Sequence, residues 1–380
     1  MDYYIDGNKL SQFKMIDGTS FRNALEEFTK RPFRLVPYFD PGVWGGQWMK
    51  EVCNLDPSVD NYAWSFDGVP EENSVAIRID DTMIEIPAIN IVLYKPVELL
   101  GSFIVNSYGK EFPIRFDFLD AMEGQNLSLQ VHPLKEYIKQ QFNMDYTQDE
   151  SYYILDAKAG SSVYLGTKSN VKKDQLITAL RNAQQTNHFD TDKYINKIPV
   201  QKHDHVLIPA GTIHCSGSGT MVLEISATPY IFTFKLWDWN RVGLDGIPRP
   251  IHINHGKNVI DFSRDTDYVL KNCINQGQVL KQQDDFIEER TGLHPLEPIE
   301  TRRYWFKKEI TLETNHTVNM LNLVEGYEVI ITSPTNQFEP NIIHYAETFI
   351  IPASIDSYSI KPVKPTDKPY GIIKAYIRER

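Results

Sequence analysis

The chain has 380 residues, 41% of them hydrophobic and 23% charged, with a formal net charge of -11 at pH 7. That length can bury a sizeable core and suggests two or three domains. The acidic balance, with no basic cluster longer than a few residues, gives no electrostatic footprint for nucleic acid or anionic lipid, so a small-molecule partner is expected. Apolar runs such as residues 88–94 fall far below the roughly 18 residues a membrane helix needs, and no transmembrane span is expected.

The opening segment MDYYIDGNKL carries neither a basic nor an apolar stretch, does not read as a secretory signal, and makes the cytoplasm the expected location. Cys53, Cys215 and Cys273 are widely spaced and odd in number. This argues against a disulfide framework or a cysteine-rich zinc ribbon, and for reduced, mostly buried thiols.

Ser20 stands where it can cap a short packing helix, with Phe21, Leu25 and Phe28 on one face. From Phe33 onward, short runs of Val, Ile, Phe and Tyr broken by Gly, Pro, Asn and Asp are strand-and-turn chemistry, which predicts a mainly β barrel or sandwich. Leu176, Ile177, Leu180 and Ala183 recur at helical spacing, so a helical insertion over about 169–190 interrupts the strands. A second strand series follows Asp261, in the apolar runs at 318–324, 328–331, 348–353 and 357–360. The predicted organisation is an N-terminal helical segment over 1–32, a first β domain over 33–260 and a second over 261–380, with the boundary within 259–276.

The most informative segment is Leu127-Ser-Leu-Gln130-Val-His132-Pro133, where Gln130 and His132 lie two apart in a strand-like run and so share one face. Downstream, Glu150 opens another strand, and Pro209-Ala-Gly211-Thr-Ile-His214 turns the chain into a strand carrying one histidine. Together Gln130, His132, Glu150 and His214 offer one divalent metal two imidazoles and two oxygens. That set fits zinc as first choice and also accepts iron, manganese, cobalt or nickel. Any one of these residues alone is more often a hydrogen-bonded polar group than a ligand; the order and context of the four carry the reading. Glu224 lies ten residues after His214, and a hairpin centred near Gly219 would set it opposite His214, to orient a ligand or contact substrate. The isolated His294, His316 and His344 lack such a pairing, so no second centre is expected.

These segments closely resemble the type I phosphomannose isomerase family, whose metal motif runs Gln-x-His-Pro, then Glu before an aromatic strand, then Pro-x-Gly-Thr-x-His. The matches are Gln130-Val-His132-Pro133, Glu150-Ser-Tyr-Tyr and Pro209-Ala-Gly211-Thr-Ile-His214. The likeness extends to Val43-Trp44-Gly45-Gly46, to Phe118-Leu-Asp-Ala and to Trp237-Asp-Trp-Asn-Arg241, covering about residues 35–255, with a weaker echo in Glu347-Thr-Phe-Ile-Ile-Pro352-Ala. The resemblance implies two cupin (jelly-roll β-barrel) domains, the second metal-free, and interconversion of mannose 6-phosphate and fructose 6-phosphate by a metal that polarises the sugar oxygens. It points to Glu224, Lys235 and Arg241 as catalytic candidates and to Trp44, Asp117 and Gln148 as substrate-binding ones.

Three positions depart from the family pattern. Asp117 and Gln148 stand where lysines are usual, and Lys235 stands where the family has an arginine; lysine lacks the planar fork that grips two oxygens at once. An altered phosphate site is therefore expected. Two alternatives accompany the isomerase reading: an isomerase of an unphosphorylated sugar, and a metal-containing sugar-binding or regulatory cupin without turnover.

Overall fold

The computed structural model describes residues 18–79, 81–227, 232–292, 294–365 and 367–378. The short helix Gly18–Glu27 buries Leu25 and already contains Ser20, so Ser20 lies inside the first turn rather than at its cap. Residues 1–17 of the expected N-terminal segment lie outside the described residues.

Among the described residues, two pairs of antiparallel sheets carry the fold. In the first pair a six-stranded sheet runs in the order Tyr38–Asp40, Trp64–Gly68, Arg115–Asp120, Thr220–Ser226, Glu150–Ala157, His205–Ile208. It faces a five-stranded sheet in the order Phe234–Trp237, Leu129–Val131, His214–Ser216, Ser162–Thr167, Ile195–Pro199. The second pair runs from Gln278 to Ile377 and comprises a six-stranded and a four-stranded sheet. Non-consecutive neighbours in every large sheet give the crossovers of jelly rolls, and each pair encloses its own core.

A third core joins the two barrels. Strand alternation explains it: on Thr220–Ser226, Val222 points into the first barrel, while Met221, Leu223 and Ile225 point outward to meet Met320, Val324, Ile350 and Ile373 of the second six-stranded sheet. Because both faces are covered, this strand is buried at every position, and Met221, Val222 and Leu223 are apolar in succession rather than alternating with polar residues. Gly68 sits at this junction, where an added Cβ would come within 2.8 Å of Met320 Sδ.

Several helices depart from the strand-and-turn texture expected after Phe33. Ile89–Tyr94, Pro96–Leu100 and Ser102–Tyr108 are consecutive short helices packed under the junction core, punctuated by Pro96, which fits a first turn, and by Gly101 at φ 95°. Lys135–Phe142, Ile253–Val259 and Thr266–Asn272 are also helical. The insertion resolves into Lys173–Thr186, which buries Leu176, Ile177, Leu180 and Ala183, and the short Thr191–Tyr194. Among the described cysteines Cys215 and Cys273 are buried, Cys53 is half-buried, and all are free thiols.

Candidate metal centre and cavity

Gln130 and His132 arise from and just after Leu129–Val131, the second strand of the five-stranded sheet, and His214 lies directly opposite Gln130 in register. The turn before His214 is tied to the same strand end. Gly211, at φ 90°, donates its N–H to the His132 carbonyl at 3.0 Å, and Thr212 closes the turn onto Pro209 through both N–H and hydroxyl. Glu150 comes from the facing six-stranded sheet, where Glu150, Tyr152 and Ile154 alternate inward.

The three side chains converge: the ligand atoms of His132, Glu150 and His214 lie within 4.8 Å of one another, and all three residues are buried. His132 Nε2 is 3.1 Å from Glu150 Oε2, and His214 Nε2 is 2.9 Å from Glu150 Oε1. The tautomers follow from the outer contacts. His132 Nδ1 is 2.8 Å from the Phe232 carbonyl and His214 Nδ1 is 2.9 Å from the Thr212 carbonyl; a carbonyl only accepts, so each Nδ1 carries the hydrogen and each Nε2 a lone pair.

Two lone pairs aimed at a carboxylate repel it unless a cation lies between them. His132 Nε2 and Glu150 Oε1 make no well-directed hydrogen bond among the described residues, as a shared cation would require. Burial by itself would favour a protonated Glu150, but positive charge placed at His132 and His214, where a metal cation would sit, outweighs it and holds its carboxyl well below the usual range. The Gln130 amide nitrogen is 3.2 Å from His214 Nε2; rotating the amide by half a turn presents Oε1 to the same point. The donor chemistry fits a divalent metal.

A cavity of about 450 Å³ opens beside this centre, with Gln130 and His132 in its lining. Its deep side is acidic. Asp117 and Glu224 face each other across adjacent strands and are almost fully buried, and Gln148 Nε2 donates to Glu150 Oε2 at 2.7 Å and to Glu224 Oε1 at 2.9 Å. Burial pushes Asp117 up to about 7, with Arg115 offsetting part of the effect, and pushes Glu224 well above the carboxylate range, reinforced by Asp117 and Glu150. Trp44 and Trp64, edge to face at 4.8 Å, form an apolar wall, and Lys235, Arg249 and His252 line the more open side. The close packing around Trp44 explains its glycines: a Cβ on Gly46 would come within 2.2 Å of Asp120 Oδ1.

Glu224 reaches the cavity by a different route from the hairpin expected in sequence. His214–Ser216 and Thr220–Ser226 belong to different sheets, because the chain crosses the barrel through Gly217 and Gly219, and Glu224 pairs with Asp117 and Tyr152 rather than with His214. Lys235 lies directly opposite Gln130. Arg241 is outside the cavity lining, where its guanidinium binds Asp238 Oδ1 at 2.6 Å and the Asn126 carbonyl at 2.6 Å.

Four further groups were given no role in the metal motif. Tyr152, two residues from Glu150, points inward with its hydroxyl unbonded among the described residues; Arg115, two residues from Asp117, is buried without a hydrogen bond from any guanidinium nitrogen. Simple strand alternation from Glu150 and Asp117 would have found both. Nothing in the local sequence marks Arg249 or His252, which tertiary folding brings to the cavity.

Fold and site together define a two-barrel cupin fold with a candidate histidine–carboxylate metal centre in its first barrel. No family model matches the chain. It is 32% identical over 152 residues to the probable mannose-6-phosphate isomerase GmuF of Bacillus subtilis (strain 168), covering 40% of this chain and 45% of that protein, so the match spans less than half of that relative's length. It is 26% identical over 234 residues to the mannose-6-phosphate isomerase ManA of the same strain, covering 61% of this chain and 69% of the other. The fold is shared with the crystal structure of the mannose 6-phosphate isomerase from Bacillus subtilis, with a TM-score of 0.73 at 17% identity over 91% of this chain and 99% of that one. The chain is thus similar in sequence to mannose-6-phosphate isomerases over part of its length and shares the fold of solved ones.

Proposed function

We propose that the chain is a metal-dependent aldose–ketose isomerase that interconverts mannose 6-phosphate and fructose 6-phosphate, moving a proton between C2 and C1. The observation that carries this reading is the convergence of His132, Glu150 and His214 beside a cavity that also presents Gln130 and two ionisable groups, Glu224 and Lys235. Gln130, His132, Glu150 and His214 would hold the metal, with zinc the first choice for two imidazoles and two oxygens. When bound, the metal supplies Lewis-acid polarisation of the sugar oxygens at C1 and C2.

The protein side chains supply the rest. Burial, with Arg249 and Arg241 nearby, holds the Lys235 ammonium below its ordinary range, which eases its exchange of a proton with the substrate. Glu224, held protonated by burial and its carboxylate neighbours, can return a proton to the adjacent oxygen. Trp44 and Trp64 exclude water on one side of the bound sugar and offer an apolar face to its C–H bonds.

Incubating metal-loaded protein with mannose 6-phosphate and with free aldoses in deuterated water, and following exchange at C2, tests the proposal. Exchange with product formation supports it; stoichiometric metal with no exchange from any of these sugars rejects isomerase chemistry in favour of sugar binding. One observation favours a second reading, isomerisation of an unphosphorylated aldose. The deep side carries Asp117 and Gln148 where the family has lysines, and buried carboxyl groups suit sugar hydroxyls while repelling phosphate.

A further inference from the structure

We propose that the junction of the two barrels carries a second carbohydrate site, separate from the cavity beside the metal centre, in which His205, Glu289 and Arg303 bind one neutral hexose ring against Trp305. The inference goes beyond the isomerase reading and does not rest on it.

The site is a cavity of about 310 Å³ that shares no lining residue with the cavity beside the metal centre. Its two walls come from different barrels. One is the turn 201–204 and the start of His205–Ile208, the edge strand of the first six-stranded sheet; the other is formed by Phe286–Arg290 and Ile299–Phe306, neighbours in the second six-stranded sheet. Arg303 Nη1 donates to the His203 carbonyl at 2.7 Å and ties the walls together. Small-molecule pockets form preferentially at such junctions, and this volume stands at the lower end of their range, which suits a single sugar ring.

His205 is the residue that points to a ligand. It lines the cavity, is 3% exposed, and neither ring nitrogen makes a well-directed hydrogen bond among the described residues, although the Thr291 backbone acts on the ring. A buried imidazole in that state costs free energy that a hydrogen-bonding partner in the cavity recovers. Burial, with Arg303 nearby, keeps the ring neutral, so it offers one N–H donor and one lone pair.

Glu289 and Arg303 add an acceptor and a donor held side by side. Glu289 Oε2 accepts from Arg303 Nε at 2.7 Å and from Trp305 Nε1 at 3.0 Å, so Oε1 is the oxygen left to accept from a ligand. Arg303 uses Nε for Glu289 and Nη1 for the His203 carbonyl, and the Tyr153 hydroxyl also acts on it; a guanidinium has more N–H groups than these contacts take up. An acceptor fixed beside a donor matches a vicinal diol, in which one hydroxyl donates while the next accepts.

Charge separates this ligand from the alternatives. The lining holds two cations, Lys202 and Arg303, against two carboxylates, Asp204 and Glu289, and Lys202 is in addition bound to Glu325 at 2.5 Å, so no net positive charge draws an anion. The one group of metal-ligating side chains among the described residues is that of His132, Glu150 and His214, which excludes a metal here. A neutral polyol remains, and the Trp305 ring offers its C–H bonds an apolar wall.

The test uses the full chain with methyl mannoside and methyl glucoside, whose blocked C1 keeps the ring closed and prevents isomerisation. In wild type, calorimetry should show saturable binding of at least one of them with a Kd of about 1 mM, the strength expected for a ligand of this size. His205→Leu, which removes both ring nitrogens, should raise that Kd by about 10-fold or more. Gly277→Leu probes the cavity without touching its hydrogen bonds: Gly277 lines it, and a Cβ there meets the Arg290 carbonyl at 3.6 Å and nothing closer, so the longer side chain takes the ligand's space and binding should be lost. This variant carries the test if His205→Leu does not fold. Trp44→Leu, in the other cavity, should leave the binding in place. No saturable binding of either glycoside in wild type, so that only water meets His205, overturns the inference, as does binding that survives in the folded His205→Leu and Gly277→Leu proteins or disappears in Trp44→Leu.

Discussion

Gln148 ties the proposed ligand Glu150 to Glu224 and Phe232, and replacing it by Met, of similar volume, isolates its hydrogen bonds from its packing. Its amide nitrogen bonds Glu150 and Glu224 at 2.7 and 2.9 Å, and its oxygen accepts from the Phe232 N–H at 3.3 Å. Phe232 in turn presents the carbonyl that orients His132. Gln148→Met therefore leaves two buried carboxyl groups short of a donor and loosens the residue that fixes one histidine tautomer. Each lost hydrogen bond to a charged group is worth about 1.5–3 kcal/mol, and because Glu224 is held protonated only the Glu150 bond is of that strength, so a net loss of about 2–4 kcal/mol in unfolding free energy is expected. Losing a group that orients the ligands should weaken metal binding by about 10- to 100-fold. Urea denaturation measures the first quantity and competition with a chromogenic chelator the second. A variant within about 0.5 kcal/mol of wild type, with unchanged metal affinity, would show that this network neither stabilises the barrel nor orients the centre.

Replacing His132 or His214 by Ala should abolish stoichiometric metal on elemental analysis of the purified protein; metal retained at wild-type stoichiometry would remove these residues from the ligand set. The double variant Asp117→Lys with Gln148→Lys should shift specificity toward mannose 6-phosphate over mannose if the acidic floor repels phosphate, and steady-state kcat/KM for the two sugars reads the ratio. Buried His205 has its pKa pushed down to about 3 by desolvation, against about 6.5 in an unfolded chain, so between those values the unfolded state binds more protons. Stability should therefore be fully present above about pH 6.5 and fall as pH drops toward 3, by up to roughly 5 kcal/mol from this group. In His205→Gln that acid limb should flatten in denaturation curves taken across the window, and an unaltered slope would exclude the assignment.

What the sequence by itself determined was local. The pairing of Gln130 with His132 on one face follows from the two-residue period of a strand, and the turn that presents His214 follows from Pro209 and Gly211; both depend on neighbours in the chain. Helix Lys173–Thr186 was legible for the same reason, because its apolar residues repeat at helical spacing. The helices from Ile89 to Tyr108 were not, since their β-branched and aromatic residues read as strand and only burial under the junction of two barrels makes them helical. The partner of Glu224 was likewise decided by tertiary structure: a ten-residue separation fits a hairpin, but the chain crosses between sheets and sets Glu224 against Asp117. Arg249 and His252 reach the cavity through a loop and a helix start whose positions no periodicity encodes, so the cationic side of the cavity could be seen only once the sheets had closed around it.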